Sequence, residues 1–135
     1  MNKIRMTSNR KQVISDIEAG TKMNARRAAL YAEAEIKRTL TGQRSGKEYI
    51  VSATGKPHVA SAPGEAPAVR SGDLRASITT APSPTKKALY YVGSDKDYAP
   101  HLELGTKYME PRPFFVETIK RVINEIREEM TRRID

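Results

Sequence analysis

The chain has no cysteine and no tryptophan, and only two of its 135 residues are phenylalanine. The lack of cysteine excludes disulfides, thiolate metal sites and cysteine nucleophiles. No apolar run approaches the roughly 20 residues that a membrane-spanning helix needs, and the charged N-terminus lacks the apolar centre of a signal peptide. With 38% hydrophobic residues, the chain predicts one soluble domain with a small core, made in a cytoplasm.

Catalytic and metal-binding motifs are also missing from the sequence. Neither Gly-Lys pair is followed by Ser or Thr, so no phosphate-binding loop is present. His101 and Glu103 have the spacing of a zinc deaminase, but that chemistry requires cysteine ligands. We therefore expect no enzyme activity, no metal and no cofactor. Glu103 is interpreted as a helix or strand residue with a structural partner.

Positive charge is in excess and is unevenly placed. The net charge is +8, and residues 1–47 carry eleven Lys and Arg against four Asp and Glu. A localised basic face attracts phosphates or an acidic protein partner, although a solvated helix face has the same composition. Lys22, Arg26 and Arg27 are the candidates for facing DNA or an acidic surface. Because no aromatic platform or helix-turn-helix pair accompanies them, sequence-specific DNA binding is not expected.

Residues 8–41 predict one long helix, free of proline and rich in good helix formers. Ser8 is the candidate N-cap, and Gly42 follows the helix as a stop. Gly20 costs about 1 kcal/mol relative to alanine inside a helix, which permits a bend there. A shallow apolar stripe, which Leu30 and Ala34 widen, predicts the buried face. Its members are Val13, Ile17, Gly20, Asn24, Ala28 and Tyr31.

Residues 42–70 predict an extended arm or a loose hairpin. The segment is rich in Gly, Ser, Ala and Pro, and a loop of this length in a compact domain is often functional. Its only strand-like patch is Tyr49, Ile50 and Val51, followed by a turn around Gly55. Residues 62–68 (APGEAPA) should lie extended along a surface, because their prolines lack the backbone N–H.

Residues 71–135 predict a small sheet and a C-terminal helix, completing a single domain over 1–135. Leu74, Ala76 and Ile78 alternate with polar residues as in a strand, or Ser71 caps one helical turn before a shorter strand. Residues 88–92 predict the clearest strand. Residues 98–104 are compatible with a strand or with two turns of helix, and we favour a short helix that ends at Gly105.

The C-terminal helix is predicted to begin at Pro113, which suits a first helical position. Its apolar residues follow the spacing of three and four that an amphipathic helix shows, so this helix should anchor the core against the sheet. These residues are Phe115, Ile119, Val122, Ile123, Ile126 and Met130. The fold class is therefore α+β, with a small, mainly antiparallel sheet packed by a long N-terminal helix and a C-terminal amphipathic helix.

Three stretches together resemble the head–tail joining or tail-completion proteins of long-tailed bacteriophages, a family of minor tail or minor capsid proteins. The likeness covers about residues 60–135. The stretches are residues 62–68 with SGDLRASI at 71–78, YAPHLELGT at 98–106, and PRPFF at 111–115.

This resemblance implies a structural virion protein of the phage neck and not an enzyme. It implies a homo-oligomeric ring, expected to be a hexamer, between the head connector or adaptor and the tail terminator or tail tube. Genomic DNA would pass through the ring without sequence-specific contacts, and no membrane is involved. The protein would be made in the host cytoplasm and reside in the virion.

The predicted contact residues of such a ring lie in the arm, because segments that order on contact can cover a large interface. Two other functions stay open from the sequence. One is a tail terminator that caps the tail tube, and the other is a basic module that binds DNA non-specifically. The predicted contact residues are Tyr49, Ile50, Val51, Pro63, Gly64, Glu65 and Pro67.

Overall fold

The structure, a computed structural model, describes residues 8–134. Its longest element is helix α1, Arg10–Thr39, close to the predicted span. Asn9 and not Ser8 precedes the helix, without a side-chain cap. Lys3 and Arg5, part of the basic first third, lie outside the described residues.

Among the described residues, the buried side chains of α1 all lie from Asn24 onward. Asn24, Ala28 and their neighbours are buried, whereas Val13 and Ile17 are 44% and 53% exposed. The prediction that one stripe along the whole helix is buried is therefore wrong for its N-terminal half. Leu30 and Ala34 are also exposed, because they lie on the side of the helix away from the packed elements.

The arm forms a two-stranded antiparallel hairpin. Strand β1, Glu48–Ile50, pairs with strand β2, Pro57–Val59, and Tyr49 lies opposite His58. Gly55 in the connecting turn has φ +66°, a left-handed conformation that glycine adopts without steric cost. The hairpin residues are mostly exposed, so the hairpin stands out from the core.

A second antiparallel pair follows, and it corrects the strand prediction for residues 74–78. Asp73–Ser77 is a short helix, α2, and strand β3 is Thr79–Pro82. The alternative of one helical turn before a shorter strand is correct, but Gly72 and not Ser71 is the N-cap residue. The Ser71 hydroxyl accepts the Asp73 N–H at 3.3 Å. β3 pairs with β4, Tyr90–Gly93. β4 begins two residues later than predicted because Ala88 has φ +54°.

The C-terminal part is helical, with one interruption that the periodicity did not predict. Helix α3 is Ala99–Leu104 and ends at Gly105, as predicted. The prediction that the final helix begins at Pro113 is wrong: it begins at Val116, with Phe115 as the N-cap, and consists of α4, Val116–Arg121, and α5, Ile123–Met130. Val122 between them keeps its hydrogen bond to Thr118 and accepts one from Ile126. Two adjacent β-branched residues at this point crowd the helical turn.

The core lies where α1, α3 and α4 meet. Ile36, Leu40, Ile78 and Phe114 are buried together with Ala99, and α5 packs along the alanine-rich middle of α1. Two small antiparallel sheets and five helices over residues 8–134 make the fold α+β. No helix within these residues is long and apolar enough to cross a membrane.

Candidate functional site

Arg44 fastens the arm to the end of α1. Its Nε donates to the carbonyl of Ala66 at 2.6 Å, and its Nη2 donates to the carbonyl of Thr39 at 2.7 Å. Charge-assisted hydrogen bonds of this kind are the stronger ones, so the base of the arm is held in one geometry. Sequence reasoning missed this role, because a single arginine carries no pattern. Its remaining acceptors are the carbonyls of Thr41, Gln43 and Pro67.

Glu65, a predicted contact residue, stabilises the arm through a second set of hydrogen bonds. Its carboxylate accepts the hydroxyl and the N–H of Ser45 and the N–H of Ala62 at 2.9 Å. Hydrogen bonds from the Ser45 hydroxyl, then from the two backbone groups, lower the pKa of Glu65 to about 2. The ionised carboxylate therefore ties the two strands of chain that enter and leave the hairpin.

The other proline-rich contact residues lie along the chain's own surface. Pro67 is buried, so it belongs to the base of the arm and offers little surface to a neighbour. Pro63 and Gly64 are exposed, and the Gly64 N–H donates to the carbonyl of Pro111 at 3.1 Å. This segment is thus docked on the loop before α4 and presents only its outer side.

The hairpin places the aromatic and aliphatic contact residues outside. Ile50 is 62% exposed and Tyr49 is 39% exposed, whereas Val51 is half-buried. The Tyr49 ring packs edge-on against His58 with ring centres 5.3 Å apart. Two of the predicted contact side chains are therefore presented to solvent on a hydrogen-bonded hairpin.

A groove of about 560 Å³ runs beside the N-terminal half of α1. We call it the α1 groove. Its apolar walls are exposed, with Met23 at 54% and Ile134 at 41%. The Ile134 side chain lies over Gly20, where an added Cβ would be 2.8 Å from its Cγ1. The lining residues are Val13, Asp16, Ile17, Ala19, Gly20, Met23, Asn24, Arg27, Arg133 and Ile134.

A second apolar surface, which sequence reasoning missed, is the loop of residues 104–111. Leu104 is 75% exposed and Tyr108 is 87% exposed, the largest values among the described large hydrophobic residues. The loop is closed by hydrogen bonds between Thr106 and Met109, the shorter being 2.8 Å. Gly105 has φ +75° and leaves no room for a Cβ. Tyrosine is among the residues that contribute most to binding energy at protein contact sites.

The three candidate basic residues are exposed but do not form one cluster. Lys22 and Arg26 are one helical turn apart on the same side of α1. Arg27 lies about 140° around the helix from Lys22, since each residue advances by about 100°, and it lines the α1 groove. Sequence proximity therefore grouped residues that the helix separates.

The loop between β3 and β4 brings further cations to Lys22. Lys86 and Lys87 line the same depression as Lys22, although they are more than sixty residues away in the chain. Lys87 forms an ion pair with Glu18 at 3.3 Å. Nothing in the sequence pattern could have placed this loop against α1.

Glu103 has structural partners, whereas His101 is exposed. Glu103 accepts the backbone N–H groups of Phe114, Phe115 and Val116 at 2.9–3.0 Å. Phe115 is the N-cap and Val116 the first residue of α4, whose N–H groups have no acceptor within the helix. This confirms a structural partner for Glu103. Within residues 8–134 no group of three or more His, Cys, Asp or Glu side chains is arranged to hold a metal.

No protein-family model, curated protein sequence or solved structure matches the chain.

Proposed function

We propose that this protein is a structural subunit of the neck of a long-tailed bacteriophage. In this proposal it forms a ring between the head connector and the tail, and genomic DNA passes through the ring. Support comes from the three sequence stretches that resemble joining proteins and from the α+β fold that the resemblance implies. The proposal treats the ring as made of copies of this one chain.

The observation that carries the proposal is the α1 groove. Residues 10–23 of α1, about four turns at 3.6 residues per turn, contain no buried residue, and their apolar side chains stay exposed. Exposed apolar side chains that gather in one groove with charged residues at its edge suit contact with a neighbouring subunit. A ring subunit needs such a surface on one side to receive its neighbour.

The free energy that the α1 groove can contribute to ring assembly is limited. Covering four half-exposed side chains, Val13, Ile17, Met23 and Ile134, is worth about 3–6 kcal/mol at roughly 1.5–3 kcal/mol for a fully transferred side chain. Association of two proteins costs an estimated 4–15 kcal/mol. The groove alone therefore does not hold free copies together strongly. Stable assembly requires further contacts, for which the hairpin and the 104–111 loop provide exposed apolar side chains.

A phage that encodes this protein allows a direct test. Lysates of a mutant that lacks the gene are viewed by electron microscopy, with the wild-type gene supplied from a plasmid as the control. DNA-filled heads beside separate, finished tails support the joining role. Heads beside tails of overgrown length support the alternative, a tail terminator. Intact virions in normal number overturn both.

The same complementation assay tests the α1 groove. Ile17→Asp places a charge in the groove, and Leu30→Asp places one on an exposed site of the same helix outside it. Both residues are about half exposed, so both variants should fold with similar circular dichroism. We expect Ile17→Asp to lower the yield of virions at least tenfold and Leu30→Asp to change it little. Equal yields for the two variants would exclude the groove as the contact surface.

A further inference from the structure

A basic site forms where α1 meets the loop between β3 and β4. Lys22 of α1 and Lys86 and Lys87 of the loop line one depression of about 230 Å³. Arg26 is exposed one turn further along α1. Two segments that are distant in sequence thus contribute cations to one place on the surface.

The loop holds its lysines in a defined position. The Ser83 hydroxyl accepts the backbone N–H of Lys86 at 3.1 Å, and the Ser83 N–H donates to the carbonyl of Leu89 at 2.8 Å. Ala88 has φ +54°, an uncommon conformation for a residue other than glycine. Because the loop is closed by these contacts, little ordering is needed when its cations meet a ligand.

Most of the positive charge at this site is not compensated. Lys87 pairs with Glu18 at 3.3 Å. Across the described part of the chain, no ion pair involves Lys22, Arg26 or Lys86. Three cations therefore remain available to an anionic partner.

The depression is too small for a nucleotide-sized ligand to be enclosed in it. Pockets for small molecules usually have volumes of about 300–1,000 Å³, so 230 Å³ is too little to enclose a nucleotide. Cations spread over a helix and a neighbouring loop suit phosphates that repeat along a backbone. Contacts of this type carry no base specificity.

We propose that Lys22, Arg26 and Lys86 contact the sugar-phosphate backbone of duplex DNA. The interaction is non-specific, and Arg27 takes no part because it lines the α1 groove on another side of the helix. The proposal rests on the proposed function only in identifying that DNA as the genome inside the ring. The binding itself is a property of this surface.

Binding of a duplex oligonucleotide to the full-length protein tests this assignment. The measurement is the dissociation constant at a series of salt concentrations. Each phosphate contact contributes about −0.9 to the slope of log K against log salt, so Lys22→Gln with Lys86→Gln should make the slope shallower by about 1.8. Affinity at low salt should fall at least tenfold.

A matched pair of lysines controls for net charge. Lys56 and Lys107 are exposed on the hairpin and on the 104–111 loop, and replacing both with glutamine removes the same total charge. This control should retain the wild-type slope. Equal losses for the two double variants, or no duplex binding by the wild-type protein at low salt, would overturn the proposal. Equal competition by polyglutamate would overturn it in favour of an acidic protein partner.

The proposed neck function and the proposed DNA contact can be overturned independently of each other. If the double variant binds duplex DNA as the wild type does, the site assignment falls, while the lysate micrographs still decide the neck role. If those micrographs show intact virions without the gene, the neck role falls and the salt dependence still reports on the basic site.

Discussion

Glu103→Ala removes the carboxylate that accepts hydrogen bonds from three consecutive backbone N–H groups at the start of α4. Those groups belong to Phe114, Phe115 and Val116, and Phe114 is a buried core residue. Without Glu103 the three donors lack a protein acceptor, and the chain that leads into α4 keeps only its backbone tie to α3, from the Arg112 N–H to the carbonyl of Leu102 at 2.6 Å.

The magnitude follows from the number and type of these bonds. Loss of a side-chain cap usually costs about 0.5–2 kcal/mol, and hydrogen bonds to a charged group contribute about 1.5–3 kcal/mol each. Water reaches the half-buried Glu103 and compensates part of the loss. We therefore expect Glu103→Ala to lower the free energy of unfolding by about 2–4 kcal/mol, which lowers Tm by about 10 °C for a domain of this size.

The assay is urea unfolding followed by far-ultraviolet circular dichroism. Glu103→Gln keeps one acceptor oxygen and should lie between the wild type and the alanine variant. Glu110→Ala removes an exposed carboxylate from the neighbouring loop and should change stability by less than about 0.5 kcal/mol. A Glu103→Ala loss as small as that of Glu110→Ala would refute the argument that this carboxylate organises the start of α4.

Two further predictions concern the arm and α1. The pKa of Glu65 is lowered to about 2, so its stabilising contacts are fully present above the ordinary carboxyl pKa of about 4.5 and are lost as pH falls through the folded value. The protection factors of the Ser45 and Ala62 amides, which compare the measured exchange rate with the intrinsic rate at the same pH, should fall over that range, and unchanged protection factors at pH 2 would contradict it. Gly20→Ala should raise the free energy of unfolding by less than the roughly 1 kcal/mol that helix propensity provides, because the added Cβ displaces the branched Ile134 side chain. A gain of the full amount in urea unfolding would show that the Ile134 contact contributes nothing to stability.

The elements that local chemistry specifies were predicted well. Helix α1 follows from a run of helix formers without proline, and α3 ends at Gly105 as expected. The turn around Gly55 was also anticipated. These features depend on residues a few positions apart, so a single sequence contains the necessary information.

The sequence predictions were wrong where contacts with residues distant in the chain determine the structure. Alternation at Leu74 and Ile78 predicted a strand, yet Ile78 is buried as the residue that ends the α2 turn. The apolar pattern of α1 predicted one buried face but could not indicate that the chain covers only part of it. Val13 and Ile17 belong to that pattern and remain exposed.

In the candidate sites as well, residues with a local sequence signal were identified, and residues defined by long-range contacts or by exposure were missed. The hairpin residues Tyr49 and Ile50 were identified from sequence because a β-like patch beside a turn is a local feature. Arg44 was missed because its carbonyl partners come from both ends of the arm. Leu104 and Tyr108 were missed because exposure is a property of the folded surface.

By itself the sequence determined the α+β class, the long first helix, the hairpin turn and the lack of thiol chemistry, since each depends on composition or on spacing along the chain. Only the tertiary structure decided which half of α1 stays uncovered, what Glu103 binds and which cations meet at Lys22. Those outcomes depend on contacts between residues that are often distant along the chain. Lys22 and Lys86 meet only because β3 and β4 pack on α1, an arrangement that no local pattern encodes.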